Sequence, residues 1–202
     1  FTGPSGTGKT MAAEVLATDV GLPLYTVDLA TMLSKYIGET EENLRQVFDA
    51  AERANAVLFF DEADALFGER SEVSDAHDRY ANVEVDYLLQ RLEDHDGCVV
   101  LASNLAENID DAFRRRVDIA VEFPHPDRDA RREIWAGAFP EETPTGELDV
   151  EFLAEFELTG GNIATVATTA AFLAAEDGDR VEMPHVVRAL RREFDKEGRL
   201  ID

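Results

Sequence analysis

A glycine-rich segment at residues 3–10 carries the strongest chemical signal in the sequence. It reads Gly3-Pro4-Ser5-Gly6-Thr7-Gly8-Lys9-Thr10 and is followed by the helix-forming run Met11 to Ala17. Glycines let such a loop curl until successive backbone N–H groups point at one anion, and the following helix adds its positive end. The spacing G-x-x-x-x-G-K-T predicts a nucleotide-phosphate loop, with Lys9 on the β- and γ-phosphates and Thr10 on Mg²⁺. We expect Met11 to contribute to the same nucleotide site.

Two carboxylates follow a buried apolar run. Ala56 to Phe60 is continuously apolar, which is typical of a central parallel strand, and Asp61 and Glu62 come directly after it. Open α/β sheets bind their ligands at the carboxyl ends of the strands. We therefore expect Asp61 to orient Mg²⁺ and Glu62 to activate a water for attack on the γ-phosphate. Asp64 is better explained as a cap of the next helix. The two motifs together predict hydrolysis of ATP or GTP.

Helical and strand patterns alternate through the first part of the chain, which indicates an α/β fold: a P-loop NTPase parallel sheet flanked by helices. The predicted strands cover residues 24–29, 56–60, 98–103 and 119–123, and the predicted helices between them cover 41–53 and 79–93. We expect Phe1 to be the end of a first strand, so that the sequence is a fragment of a longer protein.

Only helical patterns follow the two prolines Pro124 and Pro126. They cover residues 129–138, 150–156, 162–175 and 184–197. The sequence thus predicts a nucleotide-binding α/β domain at residues 1–126 and a small all-helical domain at residues 127–202.

The net charge of −24, from 43 acidic and 19 basic residues, should repel DNA, RNA and anionic membranes. No nucleic acid partner is expected, although residues 61–64 spell the Asp-Glu-Ala-Asp motif of RNA helicases. Those helicases carry Ser-Ala-Thr where this chain has Ala102-Ser103-Asn104. The spread of acidic residues and the presence of only three lysines lead us to hypothesise a salt-loving organism.

The setting predicted from the sequence is cytoplasmic. No stretch approaches the roughly 20 apolar residues that a membrane span needs, and the first residues lack the order of a signal peptide. Cys98, the single cysteine, sits in an apolar run and is predicted to be a buried core residue.

Beyond these motifs, the chain resembles the AAA+ ATPases at three further places. Asn104 matches a polar residue that in this family helps to hold the lytic water, although capping a strand-end turn would also suit it. Arg115 and Arg116 match the paired arginine fingers that reach a neighbouring subunit's site. Gly161, in the segment 160–163, matches the nucleotide-contacting start of a lid domain, but Ala164 stands where relatives often carry an arginine. The resemblance implies Mg²⁺-dependent ATP hydrolysis in a homo-oligomeric ring, expected to be a hexamer.

The stretch Ser34-Lys35-Tyr36-Ile37-Gly38-Glu39 lies where protein-remodelling AAA+ ATPases carry a pore loop. The resemblance implies that Lys35, Tyr36 and Ile37 grip a protein substrate. The alternative is that Tyr36 and Ile37 pack under the following helix.

A narrower resemblance is to the AAA+ ATPases of extracellular contractile injection systems. It rests on residues 71–97 and 158–175, and it implies a second pore-facing loop at residues 71–80. Two other functions stay open. The first alternative is a nucleotide-gated scaffold with little hydrolysis, and the second is a nucleic-acid motor.

Overall fold

The computed structural model describes residues 1–29, 39–64, 86–104, 115–196 and 198. The chain divides into two compact units. The first comprises Phe1–Pro4 and Lys9–Phe123, and the second comprises Ser5–Gly8 and Pro124–Asp202. The tip of the glycine-rich loop thus belongs to the second unit.

A parallel sheet forms the centre of the first unit. Its strands are β1 (Leu24–Asp28), β2 (Val57–Asp61) and β3 (Val99–Leu101), in the spatial order β1-β2-β3. Asp28 is paired with Asp61, and Phe60 with Leu101. The strands therefore end together, as the predicted α/β fold requires.

The first residues of the chain extend this hydrogen-bonded ladder. Thr2 forms parallel bridges with both Ser103 and Glu122. The Thr2 N–H donates to the Val121 carbonyl at 2.9 Å, and the Phe123 N–H donates to the Thr2 carbonyl at 2.7 Å. The predicted strand at residues 119–123 is thus present as a single bridge rather than as a regular strand. The glycine-rich loop leaves the sheet beside the carboxyl end of β3.

Helices cover both faces of the sheet, and the side chains of β2 point alternately into the two cores that these helices form. Leu58 and Phe60 pack with buried residues of α2 (Glu39–Ala54) and of α3 (residues 86–94), whereas Val57 and Phe59 pack with α1 (Lys9–Asp19). In α2 the buried positions are Leu44, Phe48 and Ala51, which is the spacing of one helix face. Burial on both faces explains why the first four residues of β2 are all apolar.

In the described part of the second unit the regular elements are four helices: α4 (Arg128–Ala136), α5 (Val150–Ala154), α6 (Gly160–Asp177) and α7 (Met183–Lys196). Their apolar faces form one core around Trp135, with Leu153, Ile163, Leu173, Val186, Leu190 and Phe194 among its members. Asp127, Asp149 and Thr159 cap the N-termini of α4, α5 and α6 through their side-chain oxygens.

The prediction of a buried Cys98 is wrong. Its side chain is exposed, because Cys98 comes before the first residue of β3. The Cys98 carbonyl accepts a hydrogen bond from the Leu58 N–H at 3.0 Å, so the residue contributes to the sheet only through its backbone. Within the described ranges, none of the helices has the length and apolar character needed to span a bilayer.

Candidate nucleotide-binding site

Lys9 closes the base of the glycine-rich loop. It is the first residue of α1 and is only 7% exposed. Its Nζ donates to the Gly3 carbonyl at 2.7 Å, to the Pro4 carbonyl at 2.9 Å and to Asn104 Oδ1 at 2.8 Å. Burial lowers the pKa of Lys9, and the nearby carboxylates of Asp61 and Asp64 oppose that shift. All three ammonium hydrogens are thus engaged, two by the loop and one by Asn104, which follows β3.

The loop depends on glycine at Gly3, where it leaves the sheet. Gly3 has a φ of +145°, and a Cβ at this position would lie 2.1 Å from the Phe123 carbonyl oxygen. A side chain would therefore clash with backbone that cannot move without breaking the sheet. Gly6 and Gly8 also have positive φ, at +76° and +100°. The glycine spacing in the sequence thus reflects the curled path that a phosphate-binding loop needs.

A hydroxyl and a carboxylate face each other beside Lys9. Thr10 Oγ1, in the first turn of α1, lies 3.5 Å from Asp61 Oδ2 at the end of β2. The other oxygen, Asp61 Oδ1, accepts from the Glu62 N–H at 2.9 Å. The predicted partners Lys9, Thr10 and Asp61 are therefore brought together at the carboxyl edge of the sheet.

Glu62 has an unusual backbone conformation. Its φ is +53°, in the left-handed region that costs a residue with a side chain about 1–2 kcal/mol. The side chain is exposed, and its carboxylate makes no hydrogen bond or ion pair with the residues described. Strain of this kind recurs at functional sites. The conformation marks Glu62 as a carboxylate presented at the strand end rather than one used in packing.

Asp64 has a role that the sequence analysis missed. Its carboxylate accepts from the Ser103 hydroxyl and from the Asn104 N–H, the latter at 3.0 and 3.2 Å. Asp64 thus joins the end of β2 to the end of β3 and holds the backbone of Asn104. Asp64 is about 40 residues from these partners in the sequence. The only sequence signal for their contact was that all three residues follow the ends of predicted neighbouring strands.

Comparisons with known proteins decide the family. Residues 1–125 match the ATPase family associated with various cellular activities (AAA). The chain belongs to the AAA family. It is 33% identical over 178 residues to Protein SAV of Sulfolobus acidocaldarius, which covers 85% of this chain and 23% of that protein. Over 204 residues it is 31% identical to a katanin p60 ATPase-containing subunit of Rattus norvegicus, with 95% and 42% covered.

The 26S proteasome subunit RPT4 of Saccharomyces cerevisiae is 30% identical over 200 residues, with 94% of this chain and 46% of that protein covered. The chain thus spans less than half the length of these curated relatives. The crystal structure of the FIGL-1 AAA domain in complex with ADP shares the fold, with a TM-score of 0.74 and 22% identity over 99% of this chain and 77% of that one. The predicted fold, a parallel sheet flanked by helices, is confirmed as an AAA domain fold.

None of the described side-chain hydrogen bonds of Lys9 involves the remaining predicted site residues of this AAA chain. Arg115 and Arg116 are exposed; the Arg116 guanidinium pairs with Glu93, and Arg115 makes no hydrogen bond or ion pair with a described residue. Met11 is 63% exposed on α1. Gly161 is the second residue of α6 and donates its N–H to the Gly6 carbonyl. The predicted pore-loop residues 35–37 and the second loop at 71–80 lie outside the described residues.

Proposed function

We propose that this AAA chain is the Mg²⁺-dependent, ATP-hydrolysing module of an oligomeric protein remodeller. The observation that carries the proposal is the position of Lys9 Nζ, which is bound to two loop carbonyls and to Asn104. A buried ammonium at the base of a glycine-rich loop is a specific arrangement for holding phosphate. Phosphate oxygens of bound ATP would replace the two carbonyl oxygens as acceptors of the Lys9 hydrogen bonds. Among the described residues, no carboxylate forms an ion pair with Lys9 that would compete for its charge.

Thr10 and Asp61 suit a magnesium ion. Both offer hard oxygen ligands, and Thr10 Oγ1 lies 3.5 Å from Asp61 Oδ2. Neighbouring ligands in an octahedral Mg²⁺ shell, with bonds of 2.0–2.1 Å, are about 3 Å apart, so small movements would let the pair hold the ion directly or through its waters. When bound, the ion supplies positive charge that neutralises the phosphates.

Glu62 and Asn104 are proposed to act on the attacking water. The exposed Glu62 carboxylate can accept a proton from a water that attacks the γ-phosphate. Asn104 Oδ1 accepts from Lys9, so Nδ2 is the amide atom left to donate to that water or to a γ-phosphate oxygen. This division of the amide supports the role of Asn104 in holding the lytic water.

The proposed assembly is a homo-oligomeric ring, expected to be a hexamer, in which Arg115 and Arg116 complete a neighbour's site. Support comes from the family and from two relatives whose names describe subunits, those of katanin and of the 26S proteasome. We further propose a protein substrate gripped by Lys35, Tyr36 and Ile37, and domains with boundaries at residues 1–126 and 127–202. Service to a contractile injection system, a cytoplasmic setting and adaptation to high salt rest on the sequence alone.

The test measures ATP binding and phosphate release by the purified protein, with Mg²⁺ and with EDTA. We expect Mg²⁺-dependent turnover in the wild type and at least about a 100-fold loss of ATP affinity in Lys9→Ala, because the phosphates lose their cation. Arg180→Ala is the matched control, since it also removes one positive charge, from an exposed pair with Glu182. ATP-driven oligomer formation without phosphate release would contradict the hydrolysis proposal and support the scaffold instead.

A further inference from the structure

A nearly buried carboxylate in the second unit has no part in the site described so far. The Glu193 side chain on α7 is 11% exposed. Its Oε2 accepts from Lys196 Nζ at 2.8 Å, and its Oε1 accepts from Asn162 Nδ2 at 3.1 Å. The hydrogen bond from Lys196 and, more weakly, that from Asn162 lower the pKa of Glu193 against the opposing effect of burial. Glu193 is therefore an ionised acceptor at neutral pH.

Asn162 divides its amide group between Glu193 and the start of α6. Its Oδ1 accepts from the Thr159 N–H at 3.1 Å and from the Thr159 hydroxyl at 2.7 Å, while Nδ2 donates to Glu193. The Asn162 N–H in turn donates to Thr159 Oγ1, which completes a capping box. An aspartate at position 162 would keep the cap but would have no proton to donate to Glu193.

The capped turn of α6 contacts the tip of the glycine-rich loop, and all of these residues lie within the second unit. The Gly161 N–H donates to the Gly6 carbonyl at 2.8 Å. A Cβ on Gly161 would lie 3.0 Å from Gly6 Cα, and a Cβ on Gly6 would lie 2.6 Å from Thr159 Oγ1. The two backbones thus meet with no room for a side chain.

The Gly161 hydrogen bond sets the direction of one loop peptide. A trans peptide is planar, so its C=O and its N–H point in opposite directions. Because the Gly6 carbonyl is held toward α6, the N–H of the following residue, Thr7, points to the other side of the loop. The orientation of that N–H is therefore linked to the first turn of α6 and, through Asn162, to α7.

We propose that Glu193 is a positioning residue for the glycine-rich loop, acting through Asn162, the first turn of α6 and Gly161 on the Gly6–Thr7 peptide. The inference rests on the proposed function, because it assumes that the loop binds nucleotide phosphates. It makes the packing of α7 a determinant of nucleotide affinity through a carboxylate that hydrogen-bonds Asn162 rather than the loop itself.

A swap of donor and acceptor tests the relay. Asn162→Asp keeps the cap and places two carboxylates together, so we expect ADP and ATP to bind about tenfold more weakly. Glu193→Gln alone keeps an oxygen that accepts from Asn162, so binding should stay within twofold of wild type. The double variant Asn162→Asp/Glu193→Gln restores a hydrogen bond with its direction reversed and should recover most of the affinity. Glu182→Gln, on the exposed pair with Arg180, is the matched control and should bind as wild type does.

Hydrogen exchange at the Gly161 amide separates this relay from the proposed function. We expect exchange about tenfold faster in Asn162→Asp and near wild type in the double variant, with or without nucleotide. Weak binding that persists in the double variant, or a destabilised Asn162→Asp protein with unchanged affinity, would overturn the relay. If the wild type bound no nucleotide, the proposed function would fail, and unchanged Gly161 exchange in Asn162→Asp would then overturn the relay on its own.

Discussion

Lys9 Nζ and Asn104 Oδ1 are 2.8 Å apart, and this hydrogen bond joins the first residue of α1 to the end of β3. The backbone of Asn104 is held separately, because its N–H donates to the Asp64 carboxylate. Both the position of Asn104 and the direction of its amide are thereby fixed. A side chain fixed in this way can act on a reacting water without a further conformational change.

Asn104→Ala should slow ATP turnover about 100-fold, because the reacting water or γ-phosphate loses a fixed donor. ATP affinity should change less than threefold, since the two loop carbonyls still hold Lys9 at the base of the loop before ATP binds. Steady-state kcat, together with nucleotide binding at equilibrium, distinguishes the two effects. An Asn104→Ala protein with normal kcat would leave the residue only a strand-end role.

Arg115→Ala should reduce turnover about 10³-fold, because an arginine donated in trans stabilises the transition state in a neighbouring subunit's site. ATP binding to an isolated subunit should be unchanged. Mixing Arg115→Ala with Lys9→Ala protein should restore activity at interfaces where the second type supplies the arginine and the first supplies the loop. A mixture as inactive as its components would argue against a shared site.

Arg116 differs from Arg115 in its ion pair with Glu93. If Arg116 acts on a neighbouring subunit, it has to leave its ion pair with Glu93. Removing the charge of that partner in Glu93→Gln should then leave turnover intact. Arg116→Ala should then reduce turnover as Arg115→Ala does. A purely structural Arg116 would give the opposite pattern, in which both variants lower the melting temperature and neither changes kcat of the folded protein.

The affinity for ATP should fall at a lower alkaline pH than it would if Lys9 had the pKa of a solvent-exposed lysine. Burial lowers the pKa of Lys9 from its ordinary value of 10.5, so phosphate binding by its ammonium is complete below the lowered pKa and is lost as pH rises through it. Lys9→Arg is the control, because its guanidinium stays charged and any residual affinity should be independent of pH. Wild-type affinity that falls only as the pH passes 10.5, the ordinary pKa of a lysine, would contradict the prediction.

The same shift changes folding stability with the opposite sign. Between the lowered pKa and 10.5 the unfolded chain binds more protons at Lys9 than the folded chain does. The contribution of Lys9 to the free energy of unfolding therefore rises with pH across that window. Denaturant unfolding of the wild type and of Lys9→Arg over this range measures the difference.

Tyr36→Ala distinguishes substrate grip from packing. If the ring grips a polypeptide, ATP binding and basal hydrolysis should stay near normal while substrate-stimulated ATPase is lost, because each subunit loses an apolar contact of about 1–3 kcal/mol. If the ring packs under α2, the melting temperature should fall instead. A destabilised protein with a normal response to substrate would eliminate the grip hypothesis.

Local patterns predicted most of the fold. The apolar run before Asp61 is buried on both faces of the sheet, and the helical periodicity of residues 41–53 matches the buried face of α2. These signals are strong because each face of a strand takes every second residue and each face of a helix takes every third to fourth residue, so burial leaves a regular pattern in the sequence. Cys98 shows the limit of that argument, since an apolar neighbourhood does not tell where a strand begins.

The candidate site was predictable where a motif is contiguous and at Asn104, where a single position matches a known family. Lys9, Thr10 and Asp61 follow from two short segments, and the structure brings them together. Asp64 and Glu193 could not be found in this way, because each acts on a partner that is about 30 to 40 residues distant in the sequence. Such contacts depend on how strands and helices pack, and no local pattern encodes them.

Glu62→Gln tests the central claim, that this chain hydrolyses ATP at the edge of the sheet beside Lys9 and Asp61. The measurement is single-turnover phosphate release at saturating Mg²⁺ and ATP, with nucleotide affinity measured on the same protein. We predict that release falls 10²- to 10⁴-fold and that affinity is unchanged, because only the carboxylate that takes the water's proton is lost. Wild-type phosphate release by Glu62→Gln would contradict this account.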